Sequence, residues 1–294
     1  MEILVSVLSG LLAIASSVNL VGDRLVEKKI RSAVQEVDTV AVRIDNTPNY
    51  DAAYGRFKRV RIATRNLKLS SAVAFKALEV DLDRFDISLQ EFLKEDLVTE
   101  IDDVPTIRLR ELFESDVKLG IRMVFSQKQL DNILQSETVN SRLSKRLTDI
   151  FNRLDDDDGE FTINSFVLDL IGNNRLALRT KITDVDGEYV KKGEVVDVDL
   201  EFSVKLVDES SFEFFAPRIY LEGEEIEPKN ETLTAQPVTF KVLDVVGINT
   251  KALKLNFDQD ELELALFVRA DQSAASALLD AQNILEAAKI FIEQ

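Results

Sequence analysis

Any covalent chemistry in this sequence would have to come from carboxylates, lysines or hydroxyls, because the chain contains neither histidine nor cysteine. Histidine is the one side chain that titrates near neutrality unperturbed, the commonest general base and the commonest metal ligand. Cysteine would supply a thiolate nucleophile, a disulfide or a sulfur ligand. Ser-His-Asp, Cys-His, HExxH and His-zinc chemistries are therefore excluded. A glycine-rich phosphate loop is also missing: glycine occurs only 10 times in 294 residues, and neither GxGxxG nor GxxxxGK is present.

Two acidic clusters invite a metal reading and fail it. Aligning Gly159 of Asp155-Asp156-Asp157-Asp158-Gly159 on the glycine of a calcium-binding loop puts Leu154 at the first ligand position. Ser165 then stands where a bidentate glutamate is required. Asp184-Val185-Asp186-Gly187 places Ile182 first and reads better as a hairpin turn. No metal ligand or cofactor site is expected.

The sharpest charge feature is basic. The chain carries a formal net charge of −17, yet between Asp51 and Glu79 there is no acidic residue. Arg56, Lys58, Arg59, Arg61, Arg65, Lys68 and Lys76 all fall in that window. One reading is a patch that meets anionic lipid headgroups or a membrane surface, each cation near such a surface being worth about 1 kcal/mol. The other is the wet face of a hairpin that pairs with the acidic stretch from Glu79 to Asp103. Nucleic acid is not an expected partner, since the overall charge repels it and aromatic interleaving is limited to Tyr54 and Phe57.

The elements that position these residues follow from periodicity. Residues from Ile3 to Gly22 form a 20-residue run without charge, long enough in a helix to reach roughly 30 Å. It reads as a membrane-inserted or membrane-surface helix, as a helix packed within the protein, or as a cleaved signal peptide, although Glu2 stands where a basic n-region belongs. Helical spacing continues through Val18, Val21, Leu25, Ile30, Val34 and Val37, predicting a long or once-broken helix over residues 3–37.

Beyond it the period becomes two. Val40, Val42 and Ile44, then Val60 and Ile62, Leu78, Val80 and Leu82, and Val117 to Met123 each alternate with charged or small residues, as in antiparallel strands wet on one face. Ser126 with Gln129 reads as a capping box opening two short helices that end near Leu154. Strands are expected again at 161–170, 175–183, 195–207, 212–221, 238–246 and 253–268. The clearest apolar face among them is Val196, Val198, Leu200, Phe202, Val204 and Leu206. Ser273 to Glu293 reads as an amphipathic C-terminal helix. Alternation of this kind suits a filled core and an open lipid groove equally well.

Several segments resemble the LmeA-like phospholipid-binding family of cyanobacteria and actinobacteria. They are Val18-Asn19-Leu20-Val21-Gly22-Asp23-Arg24-Leu25-Val26-Glu27 and Val42-Arg43-Ile44-Asp45-Asn46-Thr47-Pro48-Asn49-Tyr50. Gly55-Arg56-Phe57-Lys58-Arg59-Val60-Arg61-Ile62-Ala63 follows the family's strand, with Ala63 where that strand carries glycine. Leu119-Gly120-Ile121-Arg122-Met123-Val124-Phe125 leads into Leu130-Asp131-Asn132-Ile133-Leu134-Gln135-Ser136, like the pattern before the family's middle helix. The resemblance covers roughly residues 18–250 and is of the cyanobacterial type. It implies non-catalytic phospholipid binding on a tubular lipid-transfer (TULIP-like) scaffold, and actinobacterial members act at the cell envelope.

The combined expectation is an α+β fold, with a long N-terminal helix packed on a strongly curved antiparallel sheet. Residues 1–22 would form a hydrophobic helix, 23–270 the lipid-binding domain and 271–294 an amphipathic helix. Acyl chains would contact Leu25, Val42, Ile44, Leu78, Val80, Val198, Leu200, Phe202 and Val204, with Arg56, Lys58, Arg59, Arg61, Arg65 and Lys68 facing the headgroup or membrane. The rival expectation is a membrane-tethered structural or protein-interaction module with a filled core.

Overall fold

The computed structural model describes Arg24, Glu27, Lys28, Ile30 and Arg31, then residues 34–46, 49–69, 73–88, 98–101, 104–107, 114–135, 144, 161–184, 195–226, 238–239 and 248–270. In chain order the strands are β1 (Thr39–Ile44), β2 (Arg56–Phe57), β3 (Val60–Lys68), β4 (Ala74–Leu82), β5 (Phe85–Asp86), β6 (Val98–Ile101), β7 (Val104–Ile107) and β8 (Val117–Ser126). They continue as β9 (Phe161–Gly172), β10 (Arg175–Asp184), β11 (Val195–Asp208), β12 (Ser211–Leu221), β13 (Glu224–Ile226), β14 (Val238–Thr239), β15 (Ile248–Phe257) and β16 (Glu261–Ala270). One α-helix of eight residues, α1 (Gln127–Leu134), follows β8 directly.

The strands build two open six-stranded sheets. The first has the order β1-β3-β4-β8-β16-β15; the second runs β13-β12-β11-β10-β9, with β14 on β12. Every pairing within them is antiparallel. Alternating sequences dictate this, because a strand with one apolar face is stable only where that face is covered and the other is wet.

This arrangement corrects the expected α+β class. Strand accounts for 70% of the described residues, the sheets do not close into a tube, and among the described residues α1, of eight residues, is the one α-helix of that length. Among the described residues, helical backbone before β1 is confined to positions between Arg24 and Arg31. The two clusters around α1 are built from Leu130, Leu134 and strand residues such as Leu170, Leu200 and Phe257, without a long helix. The hydrophobic run 3–22, the helix ending near Leu154, the loop Asp155–Gly159 and the C-terminal segment from Ser273 lie outside the described residues.

A second correction concerns the expected strand 253–268. It is a hairpin, β15 and β16, turned at Asp258–Asp260, where the Asp258 N–H donates to the Glu261 carbonyl at 2.9 Å. The β9–β10 turn uses Asn173 and Asn174 with φ of 55° and 57°. This is the left-handed pair that a two-residue turn demands, and asparagine tolerates it better than most residues. Asn174 also ties the two sheets together: its N–H donates to the Phe257 carbonyl at 3.0 Å, and its side-chain oxygen accepts from Phe257 N–H at 2.8 Å.

The capping box at Ser126 and Gln129 is present, with the Gln129 Oε1 accepting from Ser126 N–H at 2.9 Å. It starts α1 at the end of β8 and drops Leu130 into a buried cluster with Leu170, Leu176, Val204 and Phe257. Leu134 packs against a second cluster built from Phe166, Leu178, Ile182, Val196, Val198, Leu200 and Ile219. Gln127 fastens the helix to β9: its Oε1 accepts from Leu170 N–H at 2.9 Å. The second sheet therefore has a filled apolar face.

Candidate functional site on the first sheet

In the first sheet, register places Val42, Ile62, Val80, Ile121, Leu266 and Ala252 in one row across all six strands. Their side chains share the apolar face. The outer members are buried, Val42 and Ile62 at 7% and 4% exposure, but Val80, Ile121 and Leu266 are only partly buried. The same holds for Leu119 and Met123 on β8 and for Leu262 and Leu264 on β16. An ordinary core is driest at the sheet centre. Here Val80, Ile121 and Leu266 at the centre are less covered than Val42 and Ile62, although Leu78 and Leu82 on either side of Val80 are buried.

Of the residues expected to hold acyl chains, Val42, Ile44, Leu78 and Val80 lie on this face. Val198, Leu200, Phe202 and Val204 lie on the second sheet, where Val198, Leu200 and Val204 are buried in the clusters described above. Leu25 lies outside the described residues.

The polar face of the first sheet carries the cations. Strand parity sends Arg59, Arg61 and Arg65 away from Val60, Ile62 and Thr64, so the basic residues of β3 and the apolar face are separated by the thickness of the sheet. Arg56 on β2 and Lys58 are exposed, and Lys68 at the end of β3 is tied by its backbone to Glu36.

The pairing with the acidic stretch is real on this face. Arg59 Nε donates to Asp81 at 2.8 Å, Arg65 to Glu79 at 2.8 Å, and Arg122 to Glu79 and Glu263 at 3.2 and 2.7 Å. Arg43 donates to Asp45 at 2.7 Å and Arg61 also reaches Asp45. Lys254 adds a bond to Glu263 at 2.6 Å. Arg43 and Arg61 hold the Asp45 carboxyl below the ordinary range, Arg59 does the same to Asp81, and Lys254 with Arg122 does it to Glu263.

These bonds share a direction. Ala41, Ala63, Glu79, Arg122 and Ala265 form one row on the polar face; Arg43, Arg61, Asp81 and Gly120 form the next. The first row leans outward to Arg65 and Glu263, the second outward to Asp45 and Arg59. Among the described residues no ion pair bridges the two rows. What remains between them is a furrow of ≈ 440 Å³ that runs across the strands, ending at Leu253 on a bulge of β15. Val42, Ile62, Val80, Ile121 and Leu266, the row between those two, also line it.

Over residues 18–267 the sequence matches the LmeA-like phospholipid-binding family. The chain belongs to that family. No curated protein and no solved structure matches it. Membership makes lipid binding the activity that this LmeA-like protein's surfaces must explain, and it fits membrane association. Among the described residues, no helix is long and apolar enough to cross a membrane.

Sequence reasoning reached Arg61 but missed Arg43, Arg122 and the small residues Ala41, Ala63, Gly120 and Ala265. Their signal was legible in principle: small residues recurring at positions of polar parity, where charged side chains are the norm.

Proposed function

We propose that this LmeA-like protein binds phospholipid without catalysis, laying acyl chain against the centre of the apolar face of the first sheet. The observation that carries the reading is the partial exposure there of Val80, Leu119, Ile121, Met123, Leu264 and Leu266, against the buried Val42, Ile62, Leu78 and Leu82 around them. Each methylene moved from water onto such a surface contributes about 0.8 kcal/mol, so one chain of a dozen carbons is held without any polar ligand. Arg56 and Lys58, exposed beside this sheet, then serve contact with an anionic membrane rather than with the head of that same lipid. Transfer between membranes is the corresponding activity, with residues 1–22 as the tether.

The test is lipid extraction and native mass spectrometry of gently purified full-length protein. Phospholipid bound in near-stoichiometric amount is expected; protein that carries none, and takes none up from vesicles, would rule the reading out. The rival reading, a filled-core interaction module, is favoured by the second sheet, whose apolar face is closed by α1 and its own side chains. It requires that the first sheet bind no lipid.

A further inference from the structure

We propose that the furrow on the polar face is a second site, separate from the apolar face, and that it takes a single-chain amphiphile with an anionic head. The argument rests on shape and on polarity from end to end. The furrow crosses six strands, about 24 Å at the usual strand spacing. The hydrocarbon of one bilayer leaflet is about 15 Å deep, so the length suits one extended acyl chain plus a headgroup. A volume of ≈ 440 Å³ spread over that length is narrow, leaving no room for two chains side by side.

The β1–β3 end is cationic. Arg43 and Arg61 share the single carboxylate of Asp45, and Arg61 Nε is buried without a hydrogen-bond partner. A buried donor left unpaired is costly, and an incoming carboxylate or phosphate oxygen satisfies it. The opposite end is apolar, with Ala265 in the wall and Leu253 63% exposed at the tip. Midway, Gly120 leaves the passage open, since the charged walls are held outward by their own ion pairs.

Gly120 gives a test that spares the fold. Its backbone is outside the left-handed region, and an added Cβ meets nothing closer than Asp81 Cβ at 3.9 Å. Gly120→Leu therefore fills the furrow within a strand that accepts a side chain. Leu264 on β16 stands on the other face and does not line the furrow, so Leu264→Asp disturbs the phospholipid surface alone. Full-length protein is titrated with oleate, with a single-chain lysophosphatidylglycerol and with the uncharged monoolein, and separately with vesicles of diacyl phosphatidylglycerol.

Wild type is expected to bind oleate or the lysophospholipid at one site; the preferred one of the two identifies the head as carboxylate or phosphate. Gly120→Leu, with an unchanged circular-dichroism spectrum, should weaken that binding at least tenfold, and Arg61→Gln should remove the preference over monoolein. Leu264→Asp should leave it unchanged while reducing uptake of diacyl lipid. The proposal is overturned if wild type binds no single-chain amphiphile, if Gly120→Leu binds as wild type does, or if monoolein binds as tightly as the anions.

Discussion

The central apolar face can be tested by thinning it. Val80→Ala, Ile121→Ala and Leu266→Ala together delete eight carbons from the middle of the first sheet, on three adjacent strands. Fully transferred from water, each carbon is worth about 0.8 kcal/mol. All three side chains are already partly buried in the free protein, so a bound chain gains only the remainder, roughly 0.5–0.8 kcal/mol per site on the same scale. The sum of about 1.5–2.5 kcal/mol corresponds to a Kd raised between about tenfold and about seventyfold. The assay is displacement of a fluorescent phospholipid, with thermal unfolding measured alongside. Val198→Ala and Leu200→Ala on the filled second sheet supply the control: they should lower Tm and leave affinity alone. If the triple variant binds as wild type does while the second-sheet pair abolishes binding, acyl chains lie on the other sheet and the burial argument fails.

Leu130 anchors α1 between the sheets, and Leu130→Ala should destabilise the protein by about 2–5 kcal/mol in urea unfolding, the range for a buried leucine. Gly55 has φ of +75° and its missing Cβ would run into the Ile87 carbonyl, next to the paired strands β2 and β5. Gly55→Ala should therefore cost at least about 1 kcal/mol, the scale of a non-glycine residue forced into that conformation, seen as a lowered urea midpoint. Asp81 and Glu263 have depressed folded-state pKa values. Their ion pairs thus add stability that is complete above the unfolded carboxylate range near pH 4 and is lost as pH falls through the lower folded values. Unfolding followed from pH 7 to pH 3 should show this decline, and Glu263→Gln should flatten it.

Much of the strand framework is legible from alternation, because side-chain parity is a local property: Val40–Ile44, Leu78–Leu82 and Val196–Leu206 each announce one apolar face. The capping box at Ser126 is legible for the same reason, its partners being three residues apart. The expected long helix on a curved sheet was wrong because apolar periodicity says that a face must be covered, not what covers it. The hairpin at Asp258–Asp260 was missed because its turn carries no glycine, proline or asparagine to break the pattern.

What the sequence alone determined is chemical and parity-bound. It excluded histidine and cysteine catalysis, set Arg61 opposite the apolar Val60 and Ile62 by alternation, and carried the family resemblance in its strand motifs. Tertiary structure decided which apolar face stays partly open and on which side of the sheet the cations stand relative to it. It also decided that their ion pairs lean apart to leave a furrow. Those outcomes depend on register between strands far apart in the chain, β4 with β8 and β8 with β16. A local pattern cannot encode a neighbour that folding brings from about 40 residues away, as in β4 with β8, or from about 140, as in β8 with β16.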